Sequence, residues 1–155
     1  KYLLGEGALA SLPLPAAFLA AEFAPSEAYR RAAWELHVEL VTRIVTQPLP
    51  AGQGVEASAL ASLHALFAIS RDIMKRHGRE AEAFARVSVA VLNHLLRPFL
   101  ARWHPLFAAE ATPDEATRAA FRAALDAQLP AMRDYARLLA AMADVAPLDA
   151  VDEHG

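Results

Sequence analysis

The stretch REAEAFARVSVAVLNHLLRPFLARW, residues 79–103, decides the fold. Phe84, Val87, Val91 and Leu95 recur at helical spacing along one side of it. Val89, Leu92, Leu96, Phe99 and Trp103 recur along another. A helix with apolar side chains on two sides is covered on both, so it is predicted to lie deep inside a helical assembly. Pro98 falls within this helix. Its ring clashes with the carbonyl four residues back and it has no N–H to donate, so a kink is predicted near residues 94–96. Pro105 is expected to end the helix.

Outward from this segment the punctuation repeats. Before it, Ser26 is the expected N-cap of a first helix, with Glu27 in the first turn and an apolar stripe of Tyr29, Ala33, Leu36, Leu40 and Ile44. That helix is predicted to stop at QPLPAGQG, residues 47–54, where prolines and glycines crowd together. A second helix is predicted over 55–77. Its stripe is Leu60, Leu63, Phe67, Ser70 and Met74, widened by Leu66, Ile69 and Ile73, and Gly78 is its expected C-cap. After the central segment, Thr112, Pro113 and Glu115 have the pattern of a capping box that opens a last helix. Phe121, Leu125, Gln128, Met132, Tyr135, Leu139 and Met142 form its stripe, and Pro130 is expected to kink or break it.

Short connections between long amphipathic helices imply antiparallel neighbours. The expected fold is therefore all-α: an antiparallel up-down four-helix bundle with an irregular N-terminal arm and a Pro-kinked third helix. The arm is assigned to residues 1–24, the bundle to 25–146 and a flexible acidic tail to 147–155. No window alternates apolar and polar residues over a useful length, so no sheet is predicted.

The composition excludes several function classes. A chain of 155 residues is about one domain, and 55% hydrophobic residues with a mean hydropathy of +0.21 exclude general disorder. The absence of cysteine excludes a disulfide framework, a thiolate nucleophile, a zinc knuckle and an iron–sulfur cluster. A net charge of -3 and a pI near 6.1 give no electrostatic footprint for nucleic acid. The early apolar stretch, residues 8–21, contains Pro13 and Pro15 and is shorter than the roughly 20 residues that span a bilayer. A first residue of lysine, Lys1, suggests a processed product, a tagged chain or a piece of a longer protein, and the expected location is cytoplasmic. Alanine is close to a quarter of the chain, and every cation except Lys1 and Lys75 is arginine. Both biases fit a GC-rich source.

Two polar stripes stand out. Asn93 and Arg97 are four apart, and His104 lies seven further on; Glu35, Glu39 and Arg43 repeat at four on the first helix. If the stripes face each other, Arg97 has a bidentate partner in Glu35 or Glu39. The stripes would be a register-fixing ion pair, part of a ligand or partner site, or simply solvent-exposed. Asn93, Arg97, His104, Glu35 and Glu39 are accordingly the candidate ligand- or partner-binding residues. The planar fork of Arg97 beside His104 would suit a small anionic ligand.

Catalytic patterns are weak. Helical-bundle metal sites use Glu-x-x-His, which is absent, so no metal and no cofactor are expected, although His37, His64 and His94 could converge from three helices. The Arg-x(4–6)-His pattern of HEPN-class ribonucleases occurs at Arg71–His77, Arg31–His37 and Arg97–His104, too often to discriminate in an arginine-rich chain. There is no Gly-rich phosphate loop and no Gly-x-Ser-x-Gly. Trp34 and Trp103 are expected to anchor packing.

The segment LNHLLRPFLARWHP, residues 92–105, resembles an uncharacterised actinobacterial type of helical domain with a Leu-Asn-x-x-Leu-Arg-Pro-x-Leu-x-x-Trp-His-Pro core. The segments 34–48 and 135–139 look similar too, so the resemblance covers roughly residues 28–145. It implies a helical domain that accompanies signalling or anti-phage defence modules, and it implies no activity. The expected function is a non-enzymatic helical interaction or ligand-sensing module of a bacterial protein, working through a protein partner or self-association. The alternative is a small helical-bundle hydrolase, metal-dependent or HEPN-like.

Overall fold

The computed structural model describes residues 26–43, 56–108 and 113–149. Among these residues the regular elements are all helical and none is a strand, as expected. Helix α1 is Glu27–Val41, α2 is Glu56–His77, α3 is Glu82–Val91, α4 is Arg97–Ala108 and α5 is Glu115–Met142. A 3-10 turn, Gly78–Ala81, links α2 to α3, and a π turn, Leu92–Leu96, joins α3 to α4. The expectations for the arm over 1–24, for Ile44, for the break at 47–54, for the Thr112 cap and for the end of the tail lie outside the described residues. Among the described residues no helix is long and apolar enough to cross a membrane.

The helix ends follow local chemistry. The Ser26 hydroxyl accepts the Tyr29 N–H at 3.0 Å and donates to the Glu80 carbonyl at 2.5 Å, so one side chain caps α1 and ties it to the 3-10 turn. Gly78 takes the left-handed conformation, φ 68°, that the end of α2 requires. The last helix departs from the predicted capping box: Asp114 is the N-cap, its carboxylate accepting the Thr117 N–H at 2.7 Å, and Glu115 is already helical. At the other end Asp144 supplies the left-handed residue, φ 60°. The Val145 N–H reaches the Ala140 carbonyl and the Asp144 N–H the Ala141 carbonyl, so α5 closes by a Schellman motif before Pro147 is reached.

One core spans the helices. Helix α1 packs on α5 and α2, and α2 also packs on α4. The start of α5 meets α4 through rings: the Phe121 centroid lies 4.9 Å from Phe107, 5.5 Å from Trp103 and 5.8 Å from Phe99. Each such ring contributes about 1.5–3 kcal/mol by burial alone. The predicted stripes of α1, α2 and α5 turn inward, with Gln128, Phe67, Ile69 and Met74 half-buried at their margins.

Pro98 produces the π turn that precedes it. The Arg97 N–H bonds to the Leu92 carbonyl five residues back, and this wider turn admits a residue that cannot donate its own bond. The predicted distortion thus falls where the ring demands it. The other two prolines do less than predicted. Pro105 does not end its helix, which continues to Ala108, and α5 runs through Pro130 without a break. Pro105 and Ala101 are both exposed, so the carbonyl that Pro105 leaves without a donor lies on the solvent side. Val89 is also exposed, against expectation. It shares a face with Glu82, Arg86 and Asn93, all exposed, so α3 is covered on fewer sides than its sequence suggests.

Candidate functional site

The predicted polar stripes end on different neighbours. Glu35 accepts from the Arg76 guanidinium and from His77 Nε2 at 3.1 Å, both at the end of α2. Glu39 pairs with Arg43 one turn on at 3.0 Å, and Arg43 also donates to Ser62 Oγ at 3.2 Å. Arg97 donates its Nε–H to Asn93 Oδ1 at 3.1 Å, with its guanidinium carbon 5.4 Å from the Phe67 ring centroid. Arg97 therefore bonds along its own rod and stacks on α2, and the ion pair with Glu35 or Glu39 does not form. The reason is packing: α4 lies on α2, whereas Glu35 is taken up by the end of α2 and Glu39 by Arg43 on its own helix.

These placements create two surface features. The first is a groove of about 400 Å³ between α1 and α2, lined by Trp34, Glu35, Val38, Glu39, Ile69, Asp72, Ile73 and Arg76. Trp34 is 40% exposed in its wall, whereas Trp103 is 3% exposed among the aromatic rings. The expectation that both tryptophans anchor packing holds only for Trp103. The second feature is a row of side chains across α2 and α4. Arg97 covers Phe67, the Phe67 and His64 ring centroids are 6.4 Å apart, and those of His64 and His104 are 5.9 Å apart.

His37, considered in the sequence only for metal or ribonuclease patterns, is instead a core residue. It is fully buried. Its Nδ1 lies 2.8 Å from the Ala136 carbonyl, which can only accept, so Nδ1 carries the proton. The Nε2 lone pair then accepts the Leu148 N–H at 3.1 Å. The imidazole thus links α1, α5 and the segment after α5, which it meets at Leu148. The signal was present: Ala33 and Leu40 flank His37 on the buried stripe at four and three residues.

No family model, curated protein or solved structure matches this chain.

The proposed convergence of His37, His64 and His94 does not occur. His37 is in the core, while His64 and His94 are exposed on different elements. Among the described residues no group of three or more His, Cys, Asp or Glu side chains is placed to hold a metal. Members of two arginine–histidine patterns have other partners. Arg31 pairs with Glu27 while His37 bonds inward, and His77 is engaged by Glu35.

Two environments shift carboxylates and phenols. Glu56 is held below the usual 4.5, first by its own backbone N–H and then by Arg122, whose Nε lies 2.9 Å away. Burial pushes the Tyr135 hydroxyl, which donates to Ser88 Oγ at 3.2 Å, far above the usual tyrosine value. Burial raises Tyr29 as well, against the opposing charge of Arg30. All three serve structure and none lines the groove.

Proposed function

We propose that this chain is a non-enzymatic helical interaction module that holds a basic segment of a partner protein in the α1–α2 groove. The carrying observation is Trp34. A large apolar ring left 40% exposed, on a chain whose other tryptophan is buried, is a ready anchor for a partner side chain. Around it stand three carboxylates: Glu35, which pairs with Arg76, Glu39, which pairs with Arg43, and Asp72, which has no ion pair among the described residues. That balance favours a partner that brings Lys or Arg beside an apolar residue.

The finer architecture belongs to the same reading. Helices α1, α2 and α5, with α3 and α4 counted as one π-kinked rod, would form an antiparallel up-down four-helix bundle. Such a bundle presents α1 and α2 as a rigid edge for helix-in-groove docking. The resemblance of residues 92–105 would place the module in a bacterial signalling or defence protein, where docking rather than chemistry is its contribution.

Fluorescence tests this directly, because Trp103 is shielded and Trp34 is not. Short amphipathic peptides carrying Lys and Leu should change the Trp34 emission saturably, and the effect should weaken with salt. The same peptides with Glu in place of Lys should not. Trp34→Ala should abolish the response, and Glu39→Lys with Asp72→Lys should reduce it at least tenfold. A response of equal size to acidic and basic peptides, or one retained in Trp34→Ala, would refute the assignment.

A further inference from the structure

The other end of α2 carries a separate arrangement. His64 on α2 and His104 on α4 face each other across the helix–helix boundary, ring centroids 5.9 Å apart and ring planes 33° apart. They line a cleft of about 200 Å³ whose other walls are Ala57, Leu60, Ala61 and Phe107. Alanine at positions 57 and 61 leaves space beside the rings. Both histidines are exposed, so a solute reaches them without any opening of the core.

The spacing can be compared with what one ion requires. An imidazole nitrogen bound to zinc lies ~2.0–2.1 Å from the metal, which puts the ring centroid about 3.2 Å away. Two rings on one ion then have centroids ~5.2 Å apart at a tetrahedral angle and ~6.4 Å apart when opposed. The observed separation of 5.9 Å falls between these limits, so the spacing of the two rings matches one shared ion. Neither ring has a hydrogen-bond partner among the described residues that would have to be surrendered.

We infer that His64 and His104 form a two-imidazole chelate for a late first-row divalent ion: Cu²⁺, Ni²⁺ or Zn²⁺. Neutral nitrogen donors suit these ions and not Mg²⁺ or Ca²⁺, which take oxygen ligands. Two protein ligands leave the remaining positions to water or to an added ligand, so the site is open rather than closed. Its structural consequence is a clamp between α2 and α4. The site shares no residue with the Trp34 groove and does not depend on it.

The test uses the full chain purified without a histidine tag. Isothermal titration and thermal melting are run with CuCl₂, NiCl₂, ZnCl₂ and MgCl₂. One ion per chain is expected, with Cu²⁺ bound tightest and a melting temperature raised by the three transition metals but not by Mg²⁺. Electron paramagnetic resonance of the Cu²⁺ form should show two nitrogen ligands. Affinity should fall at least tenfold in His64→Ala, in His64→Gln and in His104→Ala, and stay unchanged in His94→Ala and His154→Ala. The inference is overturned by no binding to the wild type, by equal binding in the His64 and His104 variants, by an equal response to Mg²⁺, or by one ion per two chains with dimerisation.

Discussion

His37→Ala should be among the most damaging single changes in the chain, and the damage should be traceable to the segment after α5. The substitution removes two buried hydrogen bonds, to the Ala136 carbonyl and from the Leu148 N–H. A typical intramolecular hydrogen bond contributes about 0.5–1.5 kcal/mol, which gives about 2 kcal/mol for the pair. The emptied imidazole volume adds a cavity term, and large-to-small changes of buried rings cost about 3–5 kcal/mol when the whole ring is apolar. A total of about 3–4 kcal/mol follows, since this smaller, polar ring contributes less cavity energy. For a domain of this length that loss lowers the melting temperature by roughly 10 °C. Urea denaturation of the wild type, His37→Ala, a chain stopped after Pro147, and the double variant completes a cycle. If Leu148 truly donates to Nε2, the truncation should cost about 1 kcal/mol less in the His37→Ala background. Additive losses, within about 0.5 kcal/mol, would show that the latch does not form. A His37→Ala loss below about 1 kcal/mol would refute the larger account of His37 as a core strut.

Three further outcomes are expected. Tyr135 and Tyr29 have raised folded-state values, so their contribution is complete below the ordinary tyrosine value of 10.0 and is lost as pH rises through the folded values. Denaturation curves should therefore weaken above about pH 10, and Tyr135→Phe should reduce that alkaline loss while costing about 1 kcal/mol at neutral pH. Glu56 has a lowered value, so its contribution is present above 4.5 and fades as pH falls through the folded value. Glu56→Gln should flatten the acid limb of stability against pH, and an unchanged limb would remove the Arg122 pair from the account. Pro105→Ala should restore an N–H inside α4 and stabilise the protein by about 1–3 kcal/mol, read as a higher urea midpoint; a fall would mean that the ring itself is needed.

Much of the fold was readable because period and punctuation are local properties. Tyr29, Leu36 and Leu40, Leu60 and Leu63, and Phe121, Leu125, Met132, Tyr135, Leu139 and Met142 were placed on inward faces by spacing alone, and each is buried. Ser26, Gly78 and Pro98 act where their backbone chemistry requires. The candidate site was less readable. Glu35 and Arg97 were marked as unusual, but each partner is chosen by which helix lies alongside: Arg76 and His77 for Glu35, Phe67 for Arg97. Asp114, and not the expected Thr112, caps α5, because a cap depends on which side-chain oxygen reaches a free N–H of the first turn, here that of Thr117.

The linear order of side chains was therefore enough for the helical class, for most of the buried stripes and for the distortion ahead of Pro98. All of these depend on interactions within a few residues of one another. The exposure of Trp34, the burial of His37 between α1, α5 and Leu148, and the approach of His64 to His104 join positions 40 to 111 residues apart. Such distances are closed by how whole helices pack, and no local spacing encodes them.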